Sequence, residues 1–401
     1  MIKVFDKKED CCGCTACKSI CPTQSIVMNP DEEGFLYPQI NQELCIDCGL
    51  CQEVCPLQNE VNVSNKFTEP LVYALKHKSD KVRMSSASGG AYTAISDYAL
   101  NSQYIIYGVQ FNNDFTVCHS GATTVNRRDR FKGSKYIQSN LGEVFIKVKE
   151  ELRKDKKVLF TGTACQVAGL RKYLEVSKVK TNNLILNDLI CHGVSSPLLW
   201  KEYLEFIQNK SKLKSYTFRY KAKGWHGYNV KAEFEDGTSK INNFDIMIYA
   251  NLYSSNLALR PSCYYCRYSN LQRPSDIMIG DFWGIERTLP EFDDGIGVSL
   301  VFVNTPKGKE LFNNISDKIE FLPSNIKECL QYNLQKPTKI PTNRDQFWDN
   351  YHRYGFIYIA KKYGGYSIKG RLKRIIITFL KKFGLFGLTK KILEKTNKMD
   401  N

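Results

Sequence analysis

The sequence lacks any apolar run near the ~20 residues that a membrane-spanning helix needs. Its longest apolar stretches, such as residues 104–107, have the length of a strand. Residues 1–10 also lack the apolar segment of a signal peptide. Neither membrane spanning nor export is therefore expected, and we expect the protein to be cytoplasmic.

Several common cofactor and metal signatures are also missing. No G-x-G-x-x-G follows a strand, so a Rossmann dinucleotide site is not supported, and no Walker A loop or H-E-x-x-H motif occurs. The 401 residues are 42% hydrophobic and 24% charged. This composition is typical of a folded chain with about two or three domains.

Positive charge dominates, and it is unevenly placed. The chain has 57 Lys and Arg against 41 Asp and Glu, a net charge of +16. Residues 1–60 carry −6, residues 61–360 carry +12 and residues 361–401 carry +10. An acidic N-terminal part is thus followed by a basic core suited to anionic cofactors and by a basic tail.

Cysteine is abundant, with fifteen in the chain, and nine of them lie in the first 55 residues. Because a cytoplasmic protein keeps its thiols reduced, this clustering indicates metal binding rather than disulfides. The spacing C-x2-C-x2-C-x3-C-P of bacterial ferredoxins occurs twice, at Cys11, Cys14, Cys17 and Cys21 and at Cys45, Cys48, Cys51 and Cys55.

In this ferredoxin pattern the fourth cysteine of each run binds the other cluster. We therefore expect two 4Fe-4S clusters. The first cysteine set is Cys11, Cys14, Cys17 and Cys55, and the second cysteine set is Cys45, Cys48, Cys51 and Cys21. Zinc is the alternative, although three thiols at this spacing would crowd a tetrahedral ion. Cys12 is the spare thiol, expected to pack beside a cluster.

Two further cysteines follow predicted strands of an α/β domain. Residues 157–160 predict a buried strand, residues 161–163 a turn and residues 184–190 the next strand, parallel to the first. Cys165 and Cys191 would then lie at the carboxyl ends of neighbouring strands, where such sheets bind ligands.

A C-x2-C pair could complete a third group of thiols. We call the group the core cysteine set, and it comprises Cys165, Cys191, Cys263 and Cys266. A third 4Fe-4S cluster is the favoured interpretation. Buried structural thiols, redox-active thiols and zinc are the alternatives.

Two segments have residues that suit a phosphate-bearing cofactor. The first is a turn that precedes the predicted helix 91–100 and can present backbone N–H groups to a pyrophosphate; its candidates are Ser86, Ser88, Gly89 and Gly90. The second suits a phosphate or a stacked ring; its candidates are Gly133, Ser134, Lys135 and Tyr136. An ordinary helix cap and a charged loop are the respective alternatives.

Two polar residues are candidates for catalysis. His192 adjoins Cys191, where it could transfer a proton or hydrogen-bond a sulfur atom. Asp281 follows the strand-like residues 276–279, and its alternative role is to cap a turn.

The order of the motifs gives the sequence a family resemblance. After the doubled ferredoxin run come SASGG at 86–90, GSKY at 133–136, GTACQ at 162–166, CHG at 191–193, CYYC at 263–266 and GDFWG at 280–284. Together they resemble the beta-subunit family of coenzyme F420 hydrogenases and dehydrogenases. That family includes formate dehydrogenase beta subunits and the plant hydroxymethyl-chlorophyll reductase. The resemblance spans roughly residues 5–350.

This resemblance implies an iron–sulfur flavoprotein that passes electrons between 4Fe-4S clusters and FAD. The core cysteine set would hold a cluster, and the two phosphate-type segments would bind FAD. The partner would be a redox carrier such as ferredoxin or F420, although F420 itself is not established as the substrate. Ala164 departs from the proline that we expect there, which affects the rigidity of the turn more than ligation.

The resulting fold prediction is a small ferredoxin domain of the bacterial 2[4Fe-4S] type joined to a larger α/β domain that binds the flavin and a cluster. The expected divisions are residues 1–57 for the ferredoxin domain, 58–69 for a linker, 70–360 for the core domain and 361–401 for the tail. The tail is basic and amphipathic, which suggests contact with the inner face of a membrane or an acidic partner; a solvated terminal helix is the alternative.

Three functions are compatible with the sequence. The first is an oxidoreductase that reduces or oxidises its own unidentified substrate. The second is an electron-transfer subunit that serves a separate catalytic partner. The third, a nucleic-acid-binding iron–sulfur protein, is disfavoured because the charge is terminal and its apolar neighbours are mostly aliphatic.

Overall fold

The computed structural model describes residues 3–63, 65–221 and 224–367. They form a mixed α/β structure with a small N-terminal unit, which confirms the predicted fold class. The predicted tail lies outside the described residues from position 368 onwards. None of the described helices is both long enough and apolar enough to cross a membrane.

The ferredoxin module (residues 3–60) consists of two short helices and a hairpin. Its elements are α1 (Ala16–Ile20), β1 (Ile26–Pro30), β2 (Leu36–Ile40) and α2 (Leu50–Glu53). The strands are antiparallel, with Ile26 opposite Ile40. Each helix lies within one ferredoxin run, so the two runs occupy equivalent places in the module.

Eleven strands follow the module in the described part of the chain. They are β3 (Leu71–His77), β4 (Ile105–Phe111), β5 (Val117–Ala122), β6 (Val158–Thr163), β7 (Leu184–Leu189), β8 (Leu213–Thr217), β9 (Lys231–Phe234), β10 (Ser239–Ile241), β11 (Ile277–Asp281), β12 (Ser299–Val303) and β13 (Ile319–Ser324). Eight form one sheet in the order β13-β3-β12-β11-β7-β6-β4-β5, and β10-β9-β8 form a second sheet. The strands β11, β7, β6 and β4 are parallel to one another.

Helices connect and cover these strands. They are α3 (Asp80–Met84), α4 (Ala91–Asn101), α5 (Val125–Asp129), α6 (Val144–Arg153), α7 (Ala164–Val176), α8 (Pro197–Ile207), α9 (Ile248–Ser254), α10 (Ile285–Thr288), α11 (Pro306–Asn314), α12 (Ile326–Cys329) and α13 (Arg344–Lys362). Helix α8 begins after Ser196, whose hydroxyl accepts a hydrogen bond from the N–H of Leu199 at 3.2 Å.

The parallel pair predicted for the core is present as β6 and β7, with Gly162 opposite Asp188. The turn expected at residues 161–163 is absent, because β6 continues through Thr163 and α7 begins at once with Ala164. The side chain of Gln166 accepts a hydrogen bond from the N–H of Thr163, which starts the helix without a separate loop.

The module packs directly on the core domain. Ala16 and Val54 of the module share one apolar cluster with Phe145 of α6 and Leu170 of α7. Gly169 of α7 permits this close approach, since a Cβ there would lie 2.7 Å from the sulfur of Cys14. The ferredoxin module is therefore held against the helix that follows β6.

The last helix closes the opposite side of the core. Phe347 and Trp348 of α13 pack with Trp200 of α8 and with the three-stranded sheet. The helix is interrupted at Gly355, whose φ is 74°, and it runs two residues beyond the boundary expected at 360.

Candidate metal and cofactor site

The structure groups the N-terminal cysteines as the spacing predicted. One small cleft is lined by Cys11, Cys14, Cys17 and Cys55 together with Cys12. Another is lined by Cys21, Cys45, Cys48 and Cys51. The fourth cysteine of each run thus lies with the first three of the other run. The two clefts differ in exposure, since Cys14 and Cys17 are buried whereas Cys48 is exposed.

The distances between thiols favour a cluster over a single zinc ion. Among the described residues, no three cysteine sulfurs lie within 4.8 Å of one another. Four thiolates around one zinc ion, at Zn–S distances of about 2.3 Å, would be separated by about 3.8 Å. A cubane holds its four thiolates farther apart, so the spacing of the thiols at the two N-terminal clefts is compatible with the larger group.

The core cysteine set comes together from three separate segments. Cys165 is the second residue of α7, and Cys191 follows β7 by two residues. Cys263 lies in a 3-10 turn, Pro261–Tyr265, and Cys266 ends it. The thiol of Cys263 interacts electrostatically with all three of the others.

Burial shapes the chemistry of this set. Desolvation, together with the nearby Cys165 and Cys266 sulfurs, raises the pKa of the Cys191 thiol to about 12. Such thiols stay protonated and inert unless a metal binds and displaces the proton. The N–H of Val194 and the hydroxyl of Thr163 lie 3.5 Å and 3.2 Å from the sulfurs of Cys263 and Cys165. Such contacts are common around cluster thiolates.

Cys12, the spare thiol of the first run, lies between two cysteine sets. Its thiol is near enough to interact electrostatically with both Cys14 of the first set and Cys165 of the core set. Burial and the neighbouring thiols raise its pKa well above the ordinary value, with the Cys14 contact as the largest cause. The first set and the core set are therefore in contact through one side chain.

A cavity of ≈ 510 Å³ opens at the carboxyl ends of the parallel strands. Its wall includes Val109 of β4, Thr161 of β6, Cys191 after β7 and Gly280 of β11. This edge of a parallel sheet is the usual ligand site of α/β proteins. Cys191 belongs to both the cavity wall and the core cysteine set.

The serine- and glycine-rich turn lines this cavity, but its polar groups are used differently than expected. Ser86, Ser88 and Gly90 are in the wall, whereas Gly89 is not. The N–H of Gly89 donates to the Ser299 hydroxyl at 2.9 Å. The hydroxyls of Ser86 and Ser88 donate to the backbone carbonyls of Val82 and Val298.

Unpartnered polar groups instead come from the first turn of α4. The hydroxyls of Tyr92 and Thr93 are buried and find no hydrogen-bond partner among the described residues, although both residues line the cavity. Buried hydroxyls normally have a partner. A ligand with hydrogen-bonding atoms, such as a dinucleotide, would supply one.

The second predicted segment, Gly133, Ser134, Lys135 and Tyr136, also lines the cavity. The ammonium group of Lys135 donates to the carbonyls of Val109, Arg130 and Lys132 at 2.8–3.1 Å. Burial lowers the pKa of this amine to about 7. Lys135 therefore shapes the loop, while the ring of Tyr136 stacks on that of Tyr253 with centroids 4.5 Å apart.

His192 and Asp281 both reach the cavity. The Nε2 of His192 lies 2.6 Å from Asn256 Oδ1, and Asn333 lies 3.4 Å from Nδ1. Both ring nitrogens thus face side-chain amides, and neither bonds a sulfur atom.

Asp281 ends β11 and is bound by two side chains. The indole N–H of Trp225 donates to Asp281 at 2.8 Å, and Arg219 forms an ion pair with it at 3.4 Å. The carboxylate therefore anchors neighbouring side chains, whereas the turn capping considered as its alternative role would have used backbone N–H groups.

Several cavity residues had no signal in the sequence. The guanidinium of Arg219 lies 4.8 Å above the ring of Trp283, which also stacks on Trp225. His119 is buried, and it lies between the Ser139 hydroxyl and the carbonyl of Thr161. Trp283 belongs to the GDFWG motif at 280–284, whereas Arg219 and His119 stand in no recognisable motif. Only the packing of distant segments brings them together.

Comparisons with known proteins agree with this organisation. Residues 155–328 match the family described as the C terminus of the coenzyme F420 hydrogenase/dehydrogenase beta subunit, and residues 10–59 match the 4Fe-4S dicluster domain. No curated protein matches the sequence. One similar solved chain is from a xenon-derivatized F420-reducing NiFe hydrogenase complex of Methanosarcina barkeri. The two sequences are 19% identical, and the structures superpose with a TM-score of 0.44. The match covers 74% of this chain and 91% of that chain.

The predicted resemblance is thereby confirmed: residues 155–328 are similar to the C terminus of the coenzyme F420 hydrogenase/dehydrogenase beta subunit, and residues 10–59 are similar to a 4Fe-4S dicluster domain.

Proposed function

We propose that the protein is an iron–sulfur flavoprotein oxidoreductase with three 4Fe-4S clusters and one FAD. The observation that carries this proposal is the double role of Cys191, which lines the large cavity and also belongs to the core cysteine set. A cofactor in the cavity would therefore adjoin a cluster on the core set. FAD bound there would exchange two electrons as a hydride with a substrate and single electrons with the clusters.

The three cysteine sets form a continuous series from the surface to the cavity. The exposed Cys48 is at one end, in the second set. The first set follows, and Cys12 joins its Cys14 to Cys165 of the core set. Cys191 then borders the cavity. This series would give electrons a path between the surface and the cavity, and Cys48 is the only exposed cysteine of its twelve.

The cavity has groups that can hold and orient a flavin nucleotide. The free hydroxyls of Tyr92 and Thr93 lie at the start of α4, where the helix dipole favours an anionic phosphate. Tyr136 and Tyr253 supply stacked rings in the same wall. Arg219 is fixed by Asp281 and adds a positive charge.

The test is the flavin content of anaerobically purified protein. We expect acid extraction to release about one equivalent of FAD per chain. Replacing Thr93 by Val removes a hydroxyl that has no partner in the described protein, so the fold should persist while FAD retention falls. Tyr98→Phe is the matched control, because it removes another hydroxyl of α4 and Tyr98 does not line the cavity.

Wild-type protein with full iron but no flavin would contradict the flavoprotein proposal. The second function, an electron-transfer subunit for a separate enzyme, would then replace it. The exposure of the second cysteine set favours that alternative, because Leu44 and Ile46 are 53% and 63% exposed beside Cys45. An exposed apolar patch next to a cluster is a suitable contact for a redox partner.

A further inference from the structure

A buried arginine without a carboxylate partner lies at the junction of the ferredoxin module and the core domain. Arg260 is 1% exposed. The four other buried arginines, Arg83, Arg128, Arg273 and Arg344, each form an ion pair with an Asp or Glu. For Arg260, no carboxylate of the described residues lies within the 4.0 Å of an ion pair. The rings of Tyr37 and Phe35 lie 4.1 Å and 5.5 Å from its guanidinium and compensate part of the buried charge. An anion of another kind would complete the compensation.

The contacts of the guanidinium identify that anion. Its Nε donates to the carbonyl of Cys11 at 2.8 Å, and its Nη2 donates to the carbonyl of Leu36 at 3.1 Å and lies 3.6 Å from the Cys11 sulfur. Its Nη1 donates to Gln138 Oε1 at 2.9 Å. Of these atoms, only the sulfur of Cys11 becomes anionic, when it binds iron as a thiolate.

Arg260 also belongs to the segment that carries the core cysteine set. Its carbonyl accepts a hydrogen bond from the N–H of Cys263 at 2.9 Å, and its own N–H donates to Val194. Gly13, with φ of 69°, leaves room for the side chain, because a Cβ there would lie 3.1 Å from Nη1 of Arg260. The backbone of this one residue is fixed to the core set. Its guanidinium reaches the Cys11 sulfur of the first set, and its charge also acts on the Cys165 and Cys263 thiols.

We propose that Arg260 is the counter-charge of the cluster bound by the first cysteine set and that it raises the reduction potential of that cluster. One-electron reduction adds a negative charge to the iron–sulfur group, and a fixed cation in a site without water stabilises the reduced form more than the oxidised form. In the described residues Arg260 donates no hydrogen bond to the second set, whose Cys21 instead contacts the hydroxyls of Thr23 and Ser25.

The proposal is tested by reductive titration of the full chain, purified anaerobically, with the clusters followed by EPR. In Arg260→Gln we expect the equilibrium constant for reduction of one cluster to fall at least tenfold, which corresponds to ~59 mV for one electron. The cluster of the second set, identified by its altered signal in Cys48→Ser, should change less than threefold. Arg344→Gln is the matched control, because Arg344 pairs with Glu33 of the module and hydrogen-bonds no cysteine sulfur among the described residues.

Unchanged potentials in Arg260→Gln, with iron content intact, would overturn the proposal. An equal shift in Arg344→Gln would also overturn it, because loosening of the interface would then explain the effect. If Arg260→Gln loses iron, the test uses Arg260→Lys, which keeps the positive charge. Retained iron and an equilibrium constant for reduction within threefold of wild type support the counter-charge. Loss of iron or a tenfold change in that constant contradicts it. The inference rests on the iron–sulfur part of the proposed function alone, so absence of flavin would leave its test intact.

Discussion

The three cysteine sets make a quantitative prediction about iron. Twelve cysteines divide into three sets of four, so fully loaded protein should contain about twelve irons and twelve sulfides per chain. The double variant Cys263→Ser/Cys266→Ser removes two of the four thiols of the core set. Both belong to one turn that lines neither N-terminal cleft. We therefore expect the loss of about four irons, one third of the total.

Two cysteines outside the sets provide the controls. Cys118 lies on β5 with its thiol hydrogen-bonded to Asn112, and Cys329 ends α12 with its thiol near the carbonyl of Ile326. Cys118→Ser and Cys329→Ser should keep about twelve irons. The measurement is iron and sulfide per chain after anaerobic purification, with EPR of the reduced protein. An unchanged iron content in the double variant would refute the reasoning and return the core set to a structural role.

Two further predictions concern the module interface and the cavity. In Gly169→Ala the new Cβ would lie 2.7 Å from the Cys14 sulfur. Such crowding lowers the free energy of unfolding by about 1–3 kcal/mol, which exceeds the roughly 1 kcal/mol that the higher helix propensity of alanine adds. We therefore expect thermal unfolding at a lower temperature. An equal or higher Tm would show that the module does not pack tightly against Gly169 of α7. Burial lowers the pKa of His119 to about 4 in the folded protein, whereas an ordinary histidine has a pKa of about 6.5. Between these two pH values the unfolded chain binds more protons than the folded chain. The free energy of unfolding should therefore fall as the pH drops from 6.5 towards 4. Between pH 7.5 and 5.5 the loss is about 1.4 kcal/mol, and denaturant unfolding of His119→Gln should lack it; parallel pH curves for the two proteins would contradict this account.

The sequence predicted those features that depend on local spacing. The grouping of Cys21 with the second run and of Cys55 with the first follows from the ferredoxin pattern, and the clefts reproduce it. The β6–β7 pair was predictable because two apolar runs flank a helical segment. The extension of β6 through Thr163 was not, since it depends on the Gln166 side chain that starts α7.

Features that depend on packing between distant segments could not be predicted. The position of Arg260 beside the Cys11 sulfur could not be predicted, because Cys11 lies 249 residues earlier in the sequence. Likewise, Ser86 and Ser88 were plausible phosphate ligands until the fold directed their hydroxyls to backbone carbonyls. Composition and spacing reveal which groups are available, whereas three-dimensional packing decides which of them remain free.

The unequal exposure of the cysteine sets also affects the order in which oxygen would damage the iron–sulfur clusters. Oxygen attacks an iron–sulfur group where solvent reaches it, and Cys48 is exposed while Cys14, Cys17 and Cys55 are buried. Damage would therefore begin at the second set and move inward. The inner sets would stay assembled longer, so a partly oxidised protein would lose the proposed exchange of electrons at its surface before it lost the clusters nearest the cavity. The second cysteine set would therefore be the first to lose its cluster.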